Sequence, residues 1–292
     1  MNTLTLHAAA LAGALVLAAC GDDGGGTTSP TDPDDAIEYP TGADDVVIRV
    51  EVVGGYEVGP AATDVPVVSV LGAGQVIVPG PTIERYPPPA LPNLVSTEID
   101  AEQIEGLLAE ADELGLLEET DYGEPGITDQ PETVVTIAAN GEVYEHRAYA
   151  LDFDVRTSDD VTEEQKAARE NLAEFVEVAT GSELTGDDAL GSYEYDELAV
   201  ISEDYSQPDG NEAPRPNLLD WPLGDDLATA GEPFDLGGRC QVVSGQDAVG
   251  TVVGQAEDAT TITKWRSGGK SYSVTFVPLL PDEHSCDDLL PR

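Results

Sequence analysis

Short β-branched runs joined by turn signals and interrupted by two capped amphipathic helices predict an α+β fold. The expected arrangement is an antiparallel sheet with two helices on one face, followed by a small disulfide-stapled β-rich segment. Three observations point there. The strands are short and joined by hairpins, which favours antiparallel pairing. Each helix opens on a capping box and carries its apolar residues on one side. Near the carboxyl terminus two cysteines, Cys240 and Cys286, bracket a stretch where strand patterns return.

The run 46–53 (VVIRVEVV) is the first strand candidate and ends at Gly54-Gly55-Tyr56. A hairpin follows, with Pro66–Leu71 and Gln75–Val78 flanking Gly72-Ala73-Gly74. Residues 79–92 (PGPTIERYPPPALP) carry Pro79, Pro81, Pro87, Pro88, Pro89 and Pro92, which exclude a helix or a central strand. This segment should be a stiff, extended surface loop. It would expose Ile83, Arg85 and Tyr86 on a rigid backbone, a candidate partner-binding loop, because a rigid loop loses little entropy on docking. An inert connection is the plain alternative.

The first helix is expected from Asp100 to Leu114. Asp100 caps it, Gln103 completes the capping box, and Ile99 and Ile104 form a hydrophobic staple. Ile104, Leu107, Leu108, Ala111 and Leu114 make its apolar stripe, and Gly115 ends it. A second hairpin pairs Thr133–Ala138 with Glu142–Leu151 through Ala139-Asn140-Gly141, since Asn-Gly supports the two positive φ angles of a type I′ turn. A second helix runs from Thr162 to Thr180. Thr162 and Gln165 form its capping box, Leu172, Phe175, Val176 and Ala179 its buried face, and Gly181 its stop. Residues 182–235 read as acidic and loop-rich, with Tyr193, Tyr195 and Trp221 as anchors. Beyond Arg239, Val249–Val253, Ala259–Trp265 and Ser271–Val277 are strand candidates, with a turn at Arg266-Ser267-Gly268-Gly269. The expected division is an α+β domain at 43–185 and a β-rich C-terminal domain at 190–292, with one continuous domain as the alternative.

The chain has 292 residues, with 58 acidic side chains against 12 Lys and Arg, a formal charge of −46. Phosphate binding needs a basic face, so nucleic acid is excluded as a partner. Electrostatic adhesion to anionic lipid is excluded for the same reason. Membrane contact would therefore need a covalent anchor, and the leader supplies one. Leu6–Ala19 is apolar but too short to span a bilayer, the length of a signal-peptide core. It ends in Leu17-Ala18-Ala19-Cys20, which resembles the bacterial lipobox, although Met1–Leu6 lacks Lys and Arg. The resemblance implies a lipoprotein signal peptide at 1–19, lipidation (diacylglycerol, palmitate) at Cys20, and a location on the outer face of the cell membrane. Residues 20–42 are Gly-, Asp-, Thr-, Ser- and Pro-rich and should form a disordered acidic tether, with a span of roughly 25 Å. Export to an oxidising compartment makes a Cys240–Cys286 disulfide the default.

No motif announces catalysis. His146 lies on a hairpin strand with no recognisable nucleophile beside it, and His284 sits in a loop near Cys286. Carboxylates are too numerous for any pair to stand out. The loop 204–212 (DYSQPDGNE) misses the Ca²⁺-loop spacing, and two thiols with one His do not make a Zn site. No phosphate-binding Gly loop appears. Neither metal nor cofactor is expected.

The stretches VVIRVEVVGGY (46–56), DAEQIEGLLAEADELGL (100–116) and TVVTIAANGEVYEHRAYAL (133–151) resemble, in their order, the emfourin family of small proteinaceous inhibitors of thermolysin-type metallopeptidases. The resemblance covers under half of the chain and transfers no individual inhibitory residue. It implies binding to a peptidase. The expectation is thus a surface-tethered, non-enzymatic binding module for an extracellular peptidase or another envelope protein. A hydrolase acting on cell-envelope polymers and a structural envelope protein are the alternatives.

Overall fold

The computed structural model describes residues 37–55, 65–181, 184, 190–206 and 214–290. The leader, Cys20 and most of the tether lie outside the described residues. The chain from Ile37 onward forms one compact unit. It is an α+β molecule with two sheets.

The first sheet has seven strands in the order β6-β5-β1-β2-β3-β4-β7. They are β1 (Val46–Gly54), β2 (Val68–Leu71), β3 (Gln75–Pro79), β4 (Leu94–Glu98), β5 (Pro131–Ala139), β6 (Glu142–Tyr149) and β7 (Gly191–Ser192). All neighbouring pairs are antiparallel. Helices α1 (Ala101–Glu113) and α2 (Glu163–Thr180) cover one face. Ile48, Val50, Val70, Val135 and Ile137 of the sheet meet Ile104, Leu108, Leu172 and Phe175 of the helices there.

Both capping boxes form as the sequence predicts, on Asp100 with Gln103 and on Thr162 with Gln165. At the end of α1, Gly115 takes φ 74°, its N–H donating to the Asp112 carbonyl and that of Leu116 to the Ala111 carbonyl. This is a Schellman motif, and it turns Leu116 into the core. At the β5–β6 turn, Asn140 and Gly141 have φ 55° and 78°, as a type I′ turn needs. Asn140 also exchanges hydrogen bonds with Glu38, which ties the start of the described chain to the hairpin tip.

The second sheet has six strands in the order β10-β11-β8-β13-β12-β9. They are β8 (Glu197–Asp204), β9 (Leu218–Asp220), β10 (Glu232–Pro233), β11 (Arg239–Ser244), β12 (Lys264–Ser267) and β13 (Lys270–Leu279). Only β9 and β12 run parallel. Helix α3 (Gln246–Ala256) packs Val249, Val252 and Ala256 on one face, against Trp265, Tyr272 and Phe276. On the other face Ala199, Ile201 and Val277 meet Phe234, Cys240, Cys286, Leu289 and Leu290.

Three expectations are corrected here. Val249–Val253 is helical, because Val249, Val252 and Ala256 recur at helical spacing over Trp265 and their burial outweighs the β preference of valine. Ala259–Trp265 is mostly loop, and the strand begins only at Lys264. Residues 182–235 are not only loop: β8 lies between β11 and β13 and is buried on both faces. Its apolar core, Leu198–Ile201, is too short to stand out from the acidic residues around it.

Candidate functional site

Two features offer surfaces for a partner. The first is the Pro-rich loop, which is clamped at both ends. The Gly80 N–H donates to the Asn93 carbonyl (2.8 Å), and the Asn93 side chain donates to the Pro81 carbonyl. At the far end the Ala90 N–H reaches the Ala259 carbonyl, the Thr261 N–H reaches the Pro88 carbonyl, and Tyr195 Oη donates to the Pro92 carbonyl. The loop therefore bridges from the first sheet to the second half of the chain. Between the clamps, 81–86 is exposed, and an Arg85 N–H to Ile83 carbonyl bond tightens the tip. Ile83 is 69 % and Tyr86 79 % exposed, with Arg85 between them. The three residues that the sequence singles out therefore lie on the exposed part of the loop.

The second feature is a groove of about 740 Å³ on the face of the first sheet opposite the helices. Under the β2–β4 half of that face, Leu71, Ile77 and Leu94 are sealed by Tyr193 and Leu280. The β1-β5-β6 half stays open and forms the floor. Strand register sets Arg49, Thr136 and Glu145 in one row, and Glu51, Val134 and Arg147 in the next. The wall is the strap Leu280–Leu290, which contributes Asp282, Glu283, Asp288, Leu289 and Leu290.

The strap is tied to both sheets and tightened by one bond within itself. Arg49 makes a bidentate pair with Asp282 (2.9 and 2.6 Å) and donates from Nε to Ser69 Oγ. The Glu283 carboxylate accepts from the Leu280 N–H. The disulfide joins Cys286, in a 3-10 turn (Cys286–Leu289), to Cys240 in β11, with Cα atoms 6.1 Å apart. Burial would lower the Arg49 pKa, but the hydrogen bonds and charge of Asp282, helped by Glu283 and Glu51, hold it above its ordinary value. Burial pushes the Glu283 carboxyl up, against the hydrogen bond from the Leu280 N–H and the charge of Arg49. Arg147 on the floor is paired with Glu132 and Glu145, both at 2.8 Å.

His146 is not at either surface. It is 2 % exposed on the helix side of β6. Its Nε2 lies 2.8 Å from the Leu116 carbonyl and its Nδ1 2.8 Å from Tyr122 Oη. A carbonyl only accepts, so Nε2 carries the proton and Nδ1 accepts from the tyrosine. Burial pushes the histidine pKa down and raises that of Tyr122 to about 12. With both nitrogens committed, His146 is a core residue. His284 is exposed, 3.3 Å from Glu197.

The groove is absent from the sequence reading. Its one signal is Arg49 and Glu51 alternating within an otherwise apolar strand, and the partner that explains Arg49 lies 233 residues away. Among the described residues, no group of three or more His, Cys, Asp or Glu side chains could hold a metal ion, and no helix is long and apolar enough to cross a membrane. The loop 204–212 lies partly outside the described residues. No family model, curated protein or solved structure matches the chain.

Proposed function

We propose that this chain is a lipid-anchored, non-enzymatic binding module at the outer face of a bacterial membrane, docking protein partners on its Pro-rich loop. The observation that carries the reading is the clamped loop. Two large side chains, Ile83 and Tyr86, stand out from a backbone fastened on both sides, so docking them orders little that is not already ordered. Ile83 and Tyr86 supply apolar contact area, and Arg85 can pair with an acidic group on the partner. Inhibition of an extracellular thermolysin-type peptidase is the most specific version. The chain from Ile37 onward, mixed at micromolar concentration with such peptidases, should slow peptide hydrolysis, and Ile83→Ala with Tyr86→Ala should abolish the effect. Unimpaired hydrolysis would remove the peptidase version. The anchor has its own test: Cys20→Ser should lose incorporated palmitate and release the chain into the medium.

One observation favours the hydrolase alternative. Glu283 combines a raised pKa with neighbouring carboxylates in a concave groove, as a general acid requires. Turnover of envelope glycans by the purified chain, lost in Glu283→Gln, would support that reading over the binding module.

A further inference from the structure

We propose that the groove over β1, β5 and β6 is a second binding site, for an extended basic peptide segment of a partner protein in which Lys or Arg alternates with small apolar residues. The floor is a sheet face that the fold leaves open while sealing its continuation under Tyr193 and Leu280. Its lining has two chemical parts. Val53, Val134 and Val143 on the floor and Leu289 and Leu290 on the strap are apolar, and Val143 is 69 % exposed. Among the described residues, seven carboxylates line the groove besides Asp288, which has a partner of its own, against two guanidinium groups. Both guanidiniums are already matched, Arg49 by Asp282 and Arg147 by Glu132 and Glu145. The surplus is negative. Glu51 on the floor and Glu283 on the strap each lack a cationic partner at hydrogen-bond distance among the described residues, and Arg49, paired with Asp282, reaches them only at longer range.

An arriving ammonium or guanidinium would offset that surplus in a partly desolvated setting, where a charge pair counts for more than on an open surface. Side chains alternate along an extended peptide, so its cations all present to one side, where the floor carries Glu51 and Glu145. Charge selects this occupant over the others. A second copy of a chain with formal charge −46 would be repelled, as would nucleic acid or an anionic membrane. This site is separate from the Pro-rich loop and does not depend on the function proposed there.

The test uses the full chain carrying Cys20→Ser and a fluorescein-labelled peptide of alternating Lys and Val, followed by anisotropy in low salt. Saturable binding is expected, weakening as salt screens the charges. A peptide with Glu in place of Lys should not bind. Glu51→Gln with Glu283→Gln should weaken binding about tenfold, the size expected for two partly screened ion pairs. Glu105→Gln with Glu113→Gln, on the exposed side of α1, should change it less than about twofold, since general attraction to an acidic protein falls little with two charges. Ile83→Ala and Tyr86→Ala should leave it unchanged. Equal losses from the two Glu pairs, or no saturable binding, would overturn the proposal. So would displacement by spermidine at equal charge concentration, which would make the groove a polyamine site.

Discussion

At the scale of single residues, the structure assigns His146 and Arg169 to the interior. His146 reads in the sequence as a strand residue beside Arg147, and its two partners, Tyr122 and the Leu116 carbonyl, come from the far end of α1 and the loop after it. A histidine with a depressed pKa is held neutral in the fold, while the unfolded chain takes up a proton near the ordinary value of 6.5. The folded state therefore has its full contribution above that pH and loses it as pH falls below. We expect the thermal midpoint to drop between pH 7.5 and 5.5, and to drop less in His146→Gln, which keeps a donor but does not titrate. Equal drops in both proteins would show that other groups carry the pH dependence. Arg169 is a stronger departure from pattern. It lies on the buried face of α2, 3 % exposed, and donates to the carbonyls of Tyr122, Tyr149 and Ala150. Those carbonyls end the chain segments that flank the hairpin, so one guanidinium ties α2 to β6 and to the loop after α1. Arg169→Met would leave the three acceptors without this donor, and should cost about 3 kcal/mol in urea unfolding.

At the scale of elements, the strap is the part on which most depends. Its residues line the groove, seal the β2–β4 face through Leu280, and pack Leu289 and Leu290 under the second sheet. Yet it has little regular structure of its own. The disulfide fastens it across 46 residues of chain, and loop-closure entropy puts the contribution at about 4 kcal/mol. Cys286→Ser should lower the urea midpoint accordingly, with the groove more affected than the core under α1 and α2. Hydrogen exchange should show this as faster exchange in 280–290 and in β11, while the amides of α2 stay protected. Elements with local signatures were legible from the sequence: both capping boxes, the Ile99–Ile104 staple, the Asn140-Gly141 turn. Those without were not. Strand β4 lies directly after the Pro-rich loop, and β8 sits within acidic sequence. Both are set by their neighbours in the sheets, Val95 against Val78 and Leu198 to Ile201 against β11 and β13. Helix α3 failed in the opposite sense, since its three valines carry a local β preference that packing on Trp265 overrules.

At the scale of the whole molecule, the dominant fact is the charge of −46. Like charges on a compact body repel more than on an expanded chain, so the folded state is penalised at low ionic strength. Added NaCl shortens the screening length to about 8 Å near physiological strength, and the thermal midpoint should rise as salt is added from a few millimolar upward. A flat response would mean that the carboxylates are spaced widely enough to ignore one another. Charge is a property of the linear chain, and so are the caps, turns and apolar stripes, the last three because each depends on residues within about four positions of one another. From these the sequence by itself determined the α+β class, the two helices, both hairpins and the candidate cysteine pair. It could not determine how the strap returns across the first sheet. Arg49 and Asp282 meet only because the segment after β13 returns to the first sheet, and Cys286 reaches Cys240 of β11 although β8 lies between β11 and β13. The groove exists only between such distant segments, and no local pattern encodes a contact whose partners are more than two hundred residues apart.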